Sequence, residues 1–113
     1  MHELGVVIEV VKTVEHFARE HGVTKIDSLV LQIGELSSIV PKYVEDCFPA
    51  AADGTLLQEA KLRIEIVPGD ASCGTCGGIF NIIRNRGTCP ACGSKGWELL
   101  SGKEFVIKEI VAR

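Results

Sequence analysis

No apolar stretch in this 113-residue chain approaches the roughly 18 residues that a bilayer span requires, so the sequence excludes a membrane-spanning helix and predicts a soluble protein. A basic excess is missing too. Lys and Arg together number 12 against 15 Asp and Glu, a net charge of −3, which removes the counterion release that drives binding to a phosphate backbone. Neither a membrane nor nucleic acid is therefore an expected partner. The start, Met1-His2-Glu3-Leu4, lacks the basic n-region and the small-residue cleavage site of a secretory signal, and Glu9 and Glu15 interrupt the apolar residues that follow; the expectation is a cytoplasmic protein. No G-x-x-x-x-G-K-[ST] phosphate loop occurs, so any nucleotide hydrolysis would belong to another protein. What remains, 46% hydrophobic and 24% charged residues, is a globular composition with room for one main core and a small satellite module.

Four of the five cysteines form Cys73-x2-Cys76-x12-Cys89-x2-Cys92, each pair within a glycine-containing knuckle, Cys73-Gly74-Thr75-Cys76-Gly77 and Cys89-Pro90-Ala91-Cys92-Gly93. Two thiolates converging on one ion about 2.3 Å away need a tight turn with exposed amides, and Gly and Pro supply the backbone angles. Reduced pairs or a redox pair would not account for the second knuckle at this separation. Tetrahedral Zn2+ fits best, with iron as the alternative ion. Four ligands leave no open position, so such a zinc is structural and not catalytic. Cys47, by contrast, sits at helical spacing among apolar residues with no His or carboxylate partner in the pattern, and reads as core.

Leu4, Val7, Ile8, Val11, Val14 and Ala18 recur at three- and four-residue steps and predict an amphipathic first helix closed at Gly22. Ser28 to Gly34 alternates in the two-residue period of a strand. Pro41 suits the first turn of a second helix carrying Val44, Cys47, Phe48 and Ala51 and ending at Asp53-Gly54. Lys61 to Val67 is a second one-faced strand, stopped by Pro68-Gly69. Between the knuckles and after them, Ile79 to Ile83 and Trp97 to Leu100 read as short strands of a zinc ribbon, and Glu104 to Val111 as a last strand that returns to the first domain. The expected class is α+β: a small sheet of about three strands with two helices, plus an inserted zinc-ribbon module. The expected boundaries are 1–70 with 103–113 for the main domain and 71–102 for the ribbon.

Within 71–102, three cations (Arg84, Arg86, Lys95) face one carboxylate (Glu98), a net of +2 that four thiolates around one Zn2+ would cancel. Phe80 and Trp97 are the aromatic candidates there, and both read more simply as ribbon core than as a stacking platform. At the other end, the terminal amine, the residue-2 amide nitrogen and the His2 imidazole can form adjoining chelate rings, with the Glu3 amide nitrogen or its carboxylate as a fourth donor. Planar nitrogen donors of this kind select Ni(II) or Cu(II) over tetrahedral zinc.

Met1-His2-Glu3-Leu4, Ile33-Gly34-Glu35-Leu36-Ser37 and the paired knuckles, taken together and in this order, resemble the HypA/HybF family of hydrogenase nickel-incorporation proteins across essentially the whole chain. The resemblance implies a metallochaperone that is not itself an enzyme. Its cargo would be Ni2+ held at Met1, His2 and Glu3, and its structural Zn2+ would be held by Cys73, Cys76, Cys89 and Cys92. It also implies two partners, the GTPase of the nickel-insertion pathway and the large subunit of [NiFe]-hydrogenase. Position 5, often Ser in the family, is Gly5 here, which weakens the helix start but removes no donor atom. Two other classes compete with this expectation: a ribbon adaptor for nucleic acid or protein, and an enzyme, for which no acid–base or nucleophile set is visible.

Overall fold

The computed structural model describes residues 3–113, and the periodicities above become two helices and six strands: α1 (Glu3–Glu20), β1 (Ile26–Gly34), α2 (Pro41–Ala52), β2 (Lys61–Val67), β3 (Asp70–Cys73), β4 (Ile79–Asn81), β5 (Trp97–Leu99) and β6 (Phe105–Ala112). The strands form two three-stranded sheets, ordered β2-β1-β6 and β4-β3-β5. The chain divides into two compact units, Met1–Gln32 with Ser38–Glu65 and Val106–Arg113, and Ile33–Ser37 with Ile66–Phe105. Among the described residues no helix is long and apolar enough to cross a membrane.

In the first unit α1 packs against α2. The buried stripe of α1 runs through Glu3, Val7, Val10, Val11, Val14 and Ala18. The sequence pattern placed Leu4 on that stripe, but Leu4 is 43% exposed and the carboxylate of Glu3 takes the inward position. A period of 3.6 allows either residue to begin the stripe, and the hydrogen bond that Glu3 makes decides between them. Gly22, with φ of 67°, ends the helix as expected, and Val23 N donates to Ala18 O at 2.8 Å. In α2 the buried residues are Val44, Phe48 and Ala52, while Cys47 is only half-buried. Leu57, fully buried in the turn before β2, belongs to this core although it lies in no periodic segment.

The second sheet contains one strand that the sequence reading did not predict. β3, Asp-Ala-Ser-Cys, has no β-branched residue and alternates only over four residues with small side chains, buried Ala71 and Cys73 against Asp70 and Ser72, yet it is the central strand. Its register pairs Asp70 with Asn81, Ala71 with Phe80 and Ser72 with Ile79 on one side, and Ala71 with Leu99, Ser72 with Glu98 and Cys73 with Trp97 on the other. The core here is small: Ala71, Cys73, Phe80 and Cys89, with Ile82 packed against them. Phe80 is a core residue as expected, whereas Trp97 stays 38% exposed.

Segment 33–37 belongs to this unit because backbone meets backbone there. Gly34 N donates to Glu104 O at 2.7 Å, Glu35 N to Val67 O at 2.9 Å and Leu36 N to Gly102 O at 2.8 Å. The approach is so close that a Cβ on Gly34 would lie 2.0 Å from Gly102 O, and one on Gly102 2.6 Å from the Cα of Gly69. Oε1 of Glu35 accepts from Gly69 N and from Asn81 Nδ2, both at 2.6 Å. Those two donors hold the Glu35 carboxyl below its ordinary pKa, Asn81 contributing most.

Candidate metal centre

Each knuckle is built by the same two backbone hydrogen bonds. Cys73 N donates to Gly78 O (2.8 Å) and Gly77 N returns to Cys73 O (2.9 Å); Cys89 N donates to Ser94 O (2.8 Å) and Gly93 N returns to Cys89 O (2.8 Å). The turns close on Gly77 and Gly93, whose φ values of 74° and 77° lie in the left-handed region that favours glycine. A hydroxyl bond ties the knuckles together, Thr75 Oγ1 to Ser94 Oγ at 3.1 Å; Thr75 and Ser94 were not singled out in the sequence, where isolated hydroxyl residues carry no distinguishing pattern.

All four Sγ atoms lie within 4.8 Å of one another. Cys73 and Cys92 approach to 3.5 Å and Cys76 and Cys89 to 3.6 Å. Four sulfurs at about 2.3 Å from a tetrahedral zinc stand about 3.8 Å apart, the edge of that tetrahedron. The observed separations fit such an ion and are far too long for disulfides, whose S–S bond is about 2.05 Å. Cys73 and Cys89, the first of each knuckle, are buried, while Cys76 and Cys92 are exposed.

The thiols are electrostatically unequal. The Cys76 and Thr75 amides, pointing at the Cys73 sulfur, lower its pKa to about 6, and the Cys92 amide leads in lowering Cys89. The Ser94 amide pulls Cys92 down as well, but contact with the Cys73 thiol, burial, and the Cys76 and Cys89 thiols outweigh it and push Cys92 up to about 12. Backbone donors thus prepare thiolates that cannot all ionise side by side without a cation. A dication at the centre of the four would reverse the repulsion. A closed four-thiolate set gives it a structural role, since no position is left for water or substrate.

Of the residues expected to bind nickel, Met1 and His2 lie outside the described residues. Glu3 opens α1, is only 3% exposed, and its Oε2 accepts from Val40 N at 3.2 Å. Val40 is the N-cap of α2 and has no side-chain cap of its own. Glu3 therefore does from another helix what a capping-box glutamate does locally, taking up an orphan N–H where the helix dipole favours a negative charge. No other group of three or more His, Cys, Asp or Glu side chains with metal-site spacing is present among the described residues.

Comparison with known proteins fits this arrangement. Residues 1–112 match the family described as hydrogenase/urease nickel incorporation, metallochaperone, hypA. The hydrogenase maturation factor HypA of Geobacter sulfurreducens is 41% identical over 110 residues, and that of Geobacter sp. strain M21 is 43% identical over 110, with 97% of each chain covered in both cases. The solution structure of the Ni metallochaperone HypA from Helicobacter pylori superposes with a TM-score of 0.68 at 25% identity, covering 99% of this chain and 97% of that one. With its four-thiolate ribbon, its α+β first unit and a match over nearly its whole length, the chain belongs to the HypA family of nickel-incorporation metallochaperones of hydrogenase maturation.

Proposed function

We propose that this chain carries Ni(II) on its N-terminus, at Met1, His2 and Glu3, and delivers it in the cytoplasm to the large subunit of [NiFe]-hydrogenase together with the GTPase of the nickel-insertion pathway. It acts as a carrier and not as an enzyme. Cys73, Cys76, Cys89 and Cys92 would hold the resident zinc, which supplies cohesion to a ribbon with little apolar core of its own. The nickel would be carried on the first unit and the zinc in the ribbon of the second.

The observation that carries the reading is the state of Glu3. Its carboxylate is buried against the Val40 amide, so the fourth donor is better supplied by the Glu3 backbone nitrogen than by its side chain. That choice gives four nitrogens: the Met1 amine, the His2 amide and imidazole, and the Glu3 amide. Planar nitrogen coordination of this kind favours Ni(II). Binding must displace protons from an amine of pKa near about 8 and an imidazole near about 6.5 as well as from amides, so affinity falls with falling pH.

Nickel titration of the untagged, zinc-loaded protein tests this directly. One equivalent of Ni(II) with a planar absorption spectrum is expected, lost in His2→Ala while zinc remains bound, and weakened between about pH 8 and 6. Equal binding without His2, or an affinity that does not change over that range, would overturn the terminal site.

A further inference from the structure

The two units use their cations differently. In the first, every Lys and Arg except Lys61 lies within ion-pair distance of a carboxylate, from Lys12 with Glu9 to Arg113 with Asp27. In the second, none of Arg84, Arg86, Lys95 and Lys103 makes such a pair among the described residues. Three of the four carboxylates of that unit accept from neutral donors, and the fourth, Glu98, is exposed. Glu35 accepts from Gly69 N and Asn81, Asp70 from Asn81, and Glu104 from Gly102 N. Four cations and four carboxylates balance in this unit, so its positive character is local to the turn that carries Arg84 and Arg86.

Two of these cations share one turn with an exposed aliphatic side chain. From Asn81 onward the backbone closes by Asn85 N to Asn81 O, Arg86 N to Ile83 O and Gly87 N to Ile82 O. The last two bonds are the pattern that ends a helical turn on a left-handed residue, a position glycine normally fills. Here Arg86 fills it, with φ of 51°, the sole non-glycine residue with positive φ among those described. Glycine would be more stable at that position, so the arginine sits there at a backbone cost. Arg84, Arg86 and Ile83 are exposed, Ile83 by 51%. The Trp97 indole N–H donates to Gly87 O at 3.0 Å, which fixes its partly exposed ring beside the same turn. The turn springs from Asn81, the register partner of Asp70, three residues or about 10 Å along β3 from Cys73. It thus begins at the end of the sheet remote from the thiolate cluster.

We infer that Ile83, Arg84, Arg86 and Trp97 form a docking surface for an acidic peptide segment with an apolar anchor side chain, presented by a partner protein. Two exposed arginines, neither in an ion pair and only Arg84 under the longer-range pull of Glu35, supply charge complementarity. Ile83 and the tethered indole supply an apolar contact of the kind that anchors protein interfaces. A nucleic-acid strand suits the surface less well, because it offers one aromatic ring, already held by its N–H, and no continuous basic stripe.

The test uses the full zinc-loaded chain, isotopically labelled, with three probes: the peptide Ac-Glu-Glu-Leu-Glu-Asp-Leu-Glu-NH2, the same peptide with Lys in place of every acid, and a single-stranded DNA of about 12 nucleotides. The acidic peptide is expected to shift the amides of residues 83–87 and the Trp97 indole, with an affinity that weakens as salt rises from about 0.05 to 0.3 M. The double variant Arg84→Gln, Arg86→Gly should weaken it by about tenfold or more, with zinc content and thermal midpoint preserved, since glycine relieves the left-handed arginine. Arg84→Lys, Arg86→Lys should retain most of the affinity. Three results would each overturn the inference: no shift at residues 83–87 with about 1 mM acidic peptide, equal affinity in the Gln/Gly variant, or tighter binding of the DNA than of the peptide.

Discussion

A single methyl group added at Gly34 should be among the most damaging small changes this chain can undergo. An alanine Cβ there would stand 2.0 Å from the carbonyl oxygen of Gly102, 2.2 Å from its carbon and 2.7 Å from the nitrogen of Lys103, where ordinary contact begins at 3.4 Å. All three atoms are backbone, so no rotamer change relieves the clash, and Gly102 is itself backed by Gly69 at a distance that leaves no space for retreat. The segments must part by more than 1 Å, which carries Gly34 N to Glu104 O and Leu36 N to Gly102 O, now 2.7 and 2.8 Å, out of hydrogen-bonding range. Each bond left unmade costs about 1–3 kcal/mol, so Gly34→Ala should destabilise the second unit by about 2–6 kcal/mol, a fall in thermal midpoint of about 10 °C or more. The zinc-loaded protein can be melted while watching the fluorescence of Trp97, the only tryptophan in the chain and a residue of that unit. Gly5→Ala is the control. Gly5 lies in α1 with nothing within 4 Å of the added carbon, and the same substitution there should stabilise the helix by about 0.5–1 kcal/mol. A Gly34→Ala midpoint within about 2 °C of the parent would refute the reasoning, because it would mean that the three glycine strands can separate without losing the bonds between them.

Two further predictions concern carboxylates that bond to backbone. Glu35 has its folded pKa lowered by Asn81 and the Gly69 amide, so its stabilisation is present above the unfolded value near about 4.3 and is lost as pH falls through the lower folded value. Glu35→Gln should therefore weaken the second unit at neutral pH, with the difference from the parent closing in acid; denaturant melts at a series of pH values would show a constant gap if the carboxylate were not the cause. In the first unit, Glu3→Ala should cost about 1–2 kcal/mol by removing the acceptor of the Val40 N–H, while Glu3→Gln, which keeps a carbonyl oxygen, should recover most of the loss and keep nickel stoichiometry. Equal destabilisation by both substitutions, measured by urea unfolding, would argue against the cap.

Side-chain periodicity made five elements legible. The 3.6-residue stripe of α1, the Pro41 start of α2 and the alternation in β1, β2 and β6 each record a face turned from water, and the two Cys-x2-Cys knuckles record a chemical need for thiolates at fixed spacing. What periodicity does not record is a polar residue buried by a partner distant in sequence, or backbone packed on backbone. Leu4 is therefore read onto the buried stripe although it is 43% exposed, and the burial of Glu3 goes unread. β3 escapes notice because its buried face is only two small residues, Ala71 and Cys73, and its place is fixed by pairing with β4 and β5. Ile66 fits the alternation of β2 and is still half-exposed, since the sequence does not say how much of a one-faced strand is covered. The strand order β2-β1-β6 likewise depends on which edges meet, and the attachment of Ile33–Ser37 to the second unit depends on Gly34, Gly69 and Gly102 lying against one another.

The composition of the ribbon core bears on how one small chain could keep a resident ion and a transient one apart. Of the four buried residues at its centre, Cys73 and Cys89 are themselves candidate ligands, leaving Ala71 and Phe80, helped by Ile82, as the apolar remainder. So little apolar surface does not hold a unit of this size together, whereas four thiolates on one dication contribute about 10–16 kcal/mol in small zinc modules. The ion held there is consequently part of the fold, and releasing it means unfolding the ribbon. A cargo site has to meet the opposite requirement. In the proposed site the nitrogen donors belong to the first three residues, the last of which, Glu3, opens α1 with its carboxylate bonded to Val40 N. Such a chelate can be dismantled by a competing ligand at the cost of a few bonds at the chain end. Soft thiolates in a closed tetrahedron and planar nitrogens at the proposed cargo site also prefer different metals, so the separation by stability and the separation by identity follow from the same choice of donors.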